Sequence, residues 1–218
     1  MTITPDSVQE LLSSEDFGQR LRAVNQMRQL DPAIAFRMIQ TATADSNARV
    51  RYAAVSQLST LGGQDLDVSL KLLRDRLLTD KEIDVRAAAA DAIGALKLTA
   101  AFDDLKQVYH EIEEWLLQFS IIAALGELGE PRSFELLEEA LGSTNELVKT
   151  AAIGSLGELG DRRAIPLLMP YVTHPDWQVR HRVVQALGRL NGEDVRSTLE
   201  QMANDPSEAV AQEARRFL

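Results

Sequence analysis

The sequence predicts an all-α protein built from stacked pairs of helices. Three observations indicate this fold class: one motif recurs along the 218 residues, its apolar residues have helical spacing, and no segment alternates polar and apolar residues as a β-strand does. We expect one right-handed α-solenoid of six to seven repeats of about 31 residues, forming a single domain over residues 1–218. Incomplete capping repeats are expected at about residues 1–44 and 192–218.

The recurrent motif starts with a small apolar residue and a cation and is clearest in residues 148–160, VKTAAIGSLGELG. Its copies lie 31, 35, 32, 31, 31 and 31 residues apart. They begin at Gln19, Val50, Val85, Leu117, Val148, Val179 and Val210. Apolar residues follow four, eight and eleven positions later, which places them within one arc of an α-helix. Each copy therefore predicts an amphipathic helix with one core face.

A second apolar-periodic segment lies between successive motif helices. These segments cover residues 33–41, 68–78, 101–109, 133–141, 164–172 and 195–202. Gly62, Gly129, Gly160 and Asn191 are expected to cap the preceding helices in the left-handed conformation. Pro170 should kink its helix near the end. A two-helix unit of this length is typical of HEAT repeats.

Composition excludes several classes of function. The chain is 45% apolar and contains no cysteine, so it can bury a large core but can form no disulfide or thiolate metal site. We find no signal peptide and no apolar run long enough to span a membrane, and expect a cytoplasmic protein. The net charge of −10 disfavours nucleic acid as a partner, because phosphates would be repelled; only Arg180, Arg182 and Arg189 offer a local basic patch.

The cation of the motif is predicted to point sideways, toward the adjacent repeat. We expect these cations to form a structural ladder with carboxylates in the turns of the neighbouring repeat, and favour that role over a role in binding. The ladder comprises Arg20, Arg51, Arg86, Lys149 and Arg180.

A face without charged residues predicts a binding groove. Positions two, five and nine of each motif, counted as residues after its first residue, project away from the core arc, so they are expected to meet solvent on a concave surface. Glycines at 94, 126, 157 and 188 indicate a close approach there, either by a neighbouring repeat or by a partner. With nearby aromatic residues, the candidate groove comprises Tyr52, Val55, Trp115, Phe119, Ile122, Thr150, Ile153, Trp177, His181 and Val184.

The fourth repeat departs from the pattern. Residues 108–115, VYHEIEEW, predict a longer acidic and aromatic connection, and Gln118 replaces the cation. Histidines at 110, 174 and 181 include no pair at helical spacing, so no metal site is expected. No nucleophile elbow and no glycine-rich phosphate loop is present.

The repeat consensus resembles the HEAT-like repeat of the E/F-type phycobilin lyases of cyanobacteria. Residues 147–168, LVKTAAIGSLGELGDRRAIPLL, and residues 116–137 carry the resemblance best. Across the whole chain, including ITPDSVQELLSSEDFGQRLRAVNQMRQLDPAIAF and NARVRYAAVSQL, it is similar to the phycobilisome degradation proteins of that family. The resemblance implies association with phycobilisomes, binding to phycocyanin and allophycocyanin, and contact with other degradation factors.

The same resemblance implies detachment of bilin through the thioether that joins it to a protein cysteine. Phycocyanobilin would then be a ligand and not an intrinsic cofactor. A flat tetrapyrrole with two propionates suits an apolar groove bordered by arginines, and His181, His110 or Tyr109 could supply a proton. Two alternatives stay open, a lyase subunit that attaches bilin and a HEAT-repeat adaptor with protein partners only. The residues do not decide whether the chain is an enzyme.

Overall fold

The computed structural model describes residues 2–218, and every regular element in that range is helical. This confirms the predicted all-α class. The α-helices are α1 (Pro5–Leu12), α2 (Phe17–Met27), α3 (Pro32–Ala42), α4 (Ala48–Leu61), α5 (Leu66–Thr79), α6 (Ile83–Ala95), α7 (Phe102–Glu111), α8 (Trp115–Leu128), α9 (Ser133–Ala140), α10 (Glu146–Leu159), α11 (Ala164–Leu168), α12 (Trp177–Leu190), α13 (Glu193–Met202) and α14 (Glu208–Arg215). Short 3-10 turns cover Gly62–Gln64, Thr99–Ala101 and Met169–Tyr171.

The helices alternate in role along the chain. Each even-numbered helix carries one copy of the motif, and each odd-numbered helix precedes it, which gives seven helix pairs in the described part of the chain. The chain falls into two compact units, Met1–Ile121 and Ile122–Leu218. The single domain expected over residues 1–218 stays a prediction. No helix within residues 2–218 is both long and apolar enough to cross a membrane.

The motif residues form the core of each unit. In α10 the first motif residue, Val148, and the residues four and eight positions after it, Ala152 and Leu156, are fully buried. Burial of one leucine side chain stabilises a fold by roughly 1.5–3 kcal/mol. The repeated apolar arc therefore provides the main stabilisation of each pair.

Two of the four predicted left-handed caps are confirmed, at Gly129 and Gly160, which have φ angles of +67° and +75°. Asn191 has a positive φ of +52°, but its ψ of 169° is extended, so it ends α12 outside the left-handed helical conformation. The prediction for Gly62 is wrong, because its φ is −64° and the chain continues into a 3-10 turn. The Ser69 hydroxyl donates to the Gly62 carbonyl at 2.9 Å, which satisfies a helix-end acceptor that a left-handed residue would otherwise serve.

The predicted kink at Pro170 is confirmed, whereas the long connection predicted in the fourth repeat is not. Helix α11 ends at Leu168 and continues as the 3-10 turn that contains Pro170, in agreement with the predicted kink. The long connection predicted over residues 108–115 is wrong, because α7 extends to Glu111 and α8 starts at Trp115. Tyr109 is only 7% exposed, so its ring belongs to the core face of α7 and extends that helix.

Three motif arginines form the same bridge between successive helix pairs. Arg51 Nε and Nη2 donate to Asp80 at 2.7 and 2.8 Å, while Nη1 donates to the Asp45 carbonyl at 3.0 Å. Each guanidinium therefore joins the turn before its own helix to the carboxylate in the following repeat. The other two carboxylate contacts are Arg20 Nε to Asp45 at 2.6 Å and Arg180 Nε to Asp205 at 2.7 Å.

The other members of the predicted ladder do not make this bridge. Arg86 Nε donates to the Leu77 carbonyl at 2.7 Å, and Lys149 Nζ pairs with Glu146 of its own helix at 2.7 Å. The cause lies in the turn before the next motif helix. The bridged repeats have an aspartate three residues before that helix, whereas Ile112 and His174 occupy this position before α8 and α12.

We expect stability to fall in acid because of these bridges. Burial alone would raise the pKa of Asp45 and Asp80, but hydrogen bonds from arginine and from backbone amides lower it below the ordinary 3.8. The pKa of Asp205 is also lowered, and the hydrogen bond from Arg180 is the main cause. A lowered pKa stabilises the fold above the ordinary value, and the stabilisation is lost as pH falls through the folded pKa. The melting temperature should therefore drop below about pH 4. A melting temperature that stays constant from pH 5 to 3 would contradict this.

Candidate binding surface

The predicted groove residues separate into exposed and buried sets. Tyr52 and Phe119, at position two of their motifs, are 47% and 36% exposed. The prediction that position five meets solvent is wrong, because those side chains have no exposed area. They are Val55, Ile122, Ile153 and Val184. Motif helices contact both the preceding and the following motif helix, as α4 does with α2 and α6, so a wide arc of each is covered.

The register glycines permit this close packing. A Cβ built on Gly126 would lie 2.7 Å from the Cα of Ser155 in the next motif helix. A Cβ on Gly157 would clash with the Cα of Ala186 in the same way. Of the two explanations for the glycines, approach by a neighbouring repeat is the one the structure shows at these positions.

One open groove in the second unit brings several predicted residues together. Thr150, Trp177 and His181 line it with Leu147 and Arg182, and its volume is about 970 Å³. We call this surface the α10–α12 groove. Leu147 and Trp177 both line this groove and are 53% and 46% exposed, so it offers two large apolar side chains to solvent.

Helix capping positions the two large side chains. The Asn145 side chain accepts from the Leu147 amide at 2.9 Å, and the Asp176 side chain accepts from the Gln178 amide at 2.8 Å. These bonds fix the first turns of α10 and α12, from which Leu147 and Trp177 project. The sequence analysis did not include Leu147 in the groove. Its position could have indicated this, because Leu147 is an apolar residue directly before the motif, where α4 and α6 have the charged residues Arg49 and Asp84.

The remaining aromatic candidates lie in the first unit. Tyr52 lines a separate cavity beside α6. Trp115 and Phe119 are 44% and 36% exposed. Because they lie four residues apart on α8, they are adjacent on one face of that helix.

The three candidate proton donors do not share one unit. Tyr109 and His110 lie on α7 in an edge-to-face arrangement with ring centroids 5.6 Å apart, whereas His181 lies on α12 in the second unit. The burial of Tyr109 argues against its role as donor to a ligand in an open groove. His181 is the one of the three that lines the α10–α12 groove. No cluster of three metal-ligating side chains occurs among the described residues.

Comparison with known families decides the membership of the chain. The family model described as HEAT repeats matches residues 70–155 and 135–218. The chain belongs to the HEAT-repeat family. The matched segments together include α6 to α14, so they contain the α10–α12 groove.

Solved structures share the fold of this HEAT-repeat chain. The complex of CpcE and CpcF of phycocyanin lyase from Nostoc sp. PCC7120 aligns with a TM-score of 0.69 and 20% identity, over 100% of this chain and 87% of that one. The Escherichia coli protein YibA aligns with a TM-score of 0.66 and 19% identity, over 98% and 80%. An archaeal HEAT-like repeats protein from Thermococcus onnurineus NA1 aligns at 0.59 and 14%, over 100% and 96%. A search of curated protein sequences gives no match.

Proposed function

We propose that this HEAT-repeat chain binds phycobiliproteins, namely phycocyanin or allophycocyanin, and promotes disassembly of the phycobilisome during nutrient starvation. The α10–α12 groove is the observation that carries the proposal. It presents Trp177 and Leu147 to solvent with polar groups around them, an arrangement typical of the centre of a protein interface. The whole-chain resemblance to the NblB group, the phycobilisome degradation proteins, supports this partner class.

The charge of the groove bears on how an acidic partner would be accommodated. The chain carries a net charge of −10, so long-range attraction does not favour an acidic phycobiliprotein. The groove itself includes Arg182 and the imidazoles of His174 and His181, but also the carboxylates of Glu146 and Asp176. Glu146 pairs with Lys149, and Asp176 caps the start of α12. Association would therefore depend mainly on apolar contact, with Arg182 as the cationic donor.

A second candidate function is bilin attachment or detachment. The fold likeness to a structure described as a phycocyanin lyase favours it, and so does the size of the groove. A linear tetrapyrrole could lie against Trp177 with a propionate at Arg182, within reach of the imidazole of His181. In detachment the C–S bond breaks, the sulfur leaves as a thiol on the phycobiliprotein, and a proton leaves the adjacent carbon as a double bond forms.

Visible absorbance during titration separates these functions. The purified chain is mixed with intact phycocyanin, and complex formation is followed by size-exclusion chromatography. A complex with unchanged absorbance supports binding alone, and bleaching that leaves the apoprotein intact supports detachment. Apoprotein and free phycocyanobilin that yield a covalent adduct would instead support attachment. Absence of both complex and bleaching contradicts the proposal.

Trp177→Ala is expected to weaken phycocyanin binding at least tenfold. A buried tryptophan anchor contributes about 2 kcal/mol or more to binding, and 1.4 kcal/mol corresponds to tenfold in affinity. Phe17→Ala is the matched control: Phe17 is also the first residue of a motif helix and is 42% exposed, but lies outside the predicted groove. Affinities are measured by calorimetry. Equal losses in both variants would exclude the α10–α12 groove as the binding surface.

A further inference from the structure

The alanine run of α6 forms the floor of a second groove, which lies within the first unit. Residues 87–90 are all alanine, and Ala87 and Ala88 line a cavity of about 570 Å³. Tyr52 of α4 borders it on one side, and Leu116 and Ser120 of α8 border it on the other. We call this cavity the α6 groove. It exists because α6 has small side chains where neighbouring motif helices have larger ones.

The charge around the α6 groove is complementary to a cation. Glu82, Asp84 and Asp91 line it, against Arg49 as the one cationic side chain in its lining. Within residues 2–218, none of these carboxylates takes part in an ion pair of the fold. This differs from the aspartates of the arginine bridges, which already have their partners.

Asp91 is the carboxylate nearest to the alanine floor in sequence and shares its helix. Asp91 is exposed as a residue, but partial desolvation of its carboxyl raises its pKa, and a hydrogen bond from the Ser120 hydroxyl partly offsets that effect. A carboxylate has about four acceptor sites, so one hydroxyl leaves most of them available. A cation that pairs with this accessible carboxylate favours its charged form.

We propose that the α6 groove binds an arginine-bearing segment of a partner protein, with the guanidinium against Asp91 and the aliphatic stem over Ala87 and Ala88. A planar guanidinium can donate two hydrogen bonds to one carboxylate and can stack on the face of Tyr52. Lysine, as a point charge, uses neither geometry as well. A metal ion is a poor occupant, because the described residues provide no three-ligand cluster.

The probe is a pair of synthetic nonapeptides with blocked ends and alanine and leucine flanks. One carries a central arginine and the other carries citrulline, which has nearly the same shape without the charge. Titration into the full chain is followed by NMR. The arginine peptide should shift the resonances of Tyr52, Asp91 and Ser120, and the citrulline peptide should bind at least tenfold more weakly. No shift at these residues up to millimolar peptide overturns the proposal.

Two variants with the same charge change test the role of Asp91. Asp91→Asn should weaken the arginine peptide at least tenfold and leave the citrulline peptide unaffected. Asp67→Asn removes an equal charge from the first turn of α5, outside the groove, and should change neither affinity. Since burial disfavours the charged form of Asp91, the first variant should also keep its melting temperature.

Two results would contradict the proposal. Equal losses in the two variants would reduce the effect to net charge, and displacement of the peptide by an equal concentration of spermidine would assign the groove to a free polyamine. The titration contains no phycobiliprotein, so its outcome is independent of the function proposed for the α10–α12 groove.

Discussion

Gly157→Ala is expected to destabilise the fold by about 1–3 kcal/mol, although alanine is the better helix former. The added Cβ would meet the backbone of Ala186, and backbone atoms cannot move aside as a flexible side chain can. Helices α10 and α12 would have to separate, which would loosen the contact on both sides of the glycine. The free energy of unfolding in urea is the measurement, and the loss should appear there as a lower transition midpoint.

Gly154→Ala in the same helix is the matched control. Its Cβ would lie 3.3 Å from Cδ of Arg182, a flexible side chain that can shift. Alanine should therefore be neutral there or should stabilise by about 0.5–1 kcal/mol, as expected from helix propensity. If both variants lose stability equally, close packing is not the reason for glycine at 157.

The glycines at 126 and 157 show which part of the helix packing could be predicted from the sequence. Their register predicts a close approach, because glycine inside a helix is otherwise unfavourable. The sequence alone could not separate a neighbouring helix from a partner, because a helical wheel gives directions relative to the core face of one helix only. The same limitation misplaced Val55 and Val184, which are fully buried in helices that contact the preceding and following motif helices as well as their own paired helix.

The fold itself follows from local signals. Helical spacing of the motif predicts the even-numbered helices, and Gly129 and Gly160 predict where two of them end. The arginine bridges depend on one further residue, the aspartate three positions before the next even-numbered helix. Where Ile112 or His174 stands there, the bridge is absent.

The grooves were harder to predict because no motif specifies them. The α6 groove results from a difference in side-chain volume between neighbouring repeats, which places alanine beside Tyr52. Asp91 occupies a position where other motif helices carry Ser56 or Gln185, so its sequence context is ordinary. Its environment becomes unusual only when α8 contributes Ser120 to the same cavity.

Asp80→Ala is expected to be the most destabilising of these substitutions, by about 3–5 kcal/mol. The Asp80 side chain is 1% exposed and pairs with Arg51 at 2.7 Å and Arg76 at 3.3 Å. It also accepts from the Glu82 amide at 3.1 Å, which orders the start of α6. Its loss would leave Arg51, whose side chain is 13% exposed, without a counter-charge in the interface between two repeats.

A double-mutant cycle separates the ion pair from the other contacts of Asp80. Arg51→Met alone should cost less than Asp80→Ala, because Asp80 keeps Arg76. Removing both should cost less than the sum of the single losses, because no unpaired arginine at position 51 remains. Additive losses would show that Asp80 acts mainly through the start of α6.

Burial, more than distance, sets the size of this effect. The Lys149–Glu146 pair is equally short, at 2.7 Å, but Glu146 is 67% exposed. Water screens such a pair, so Glu146→Ala should cost no more than about 0.5 kcal/mol in the same urea measurement. The contrast between Asp80 and Glu146 therefore tests whether a motif cation holds repeats together only where the following turn supplies a buried carboxylate.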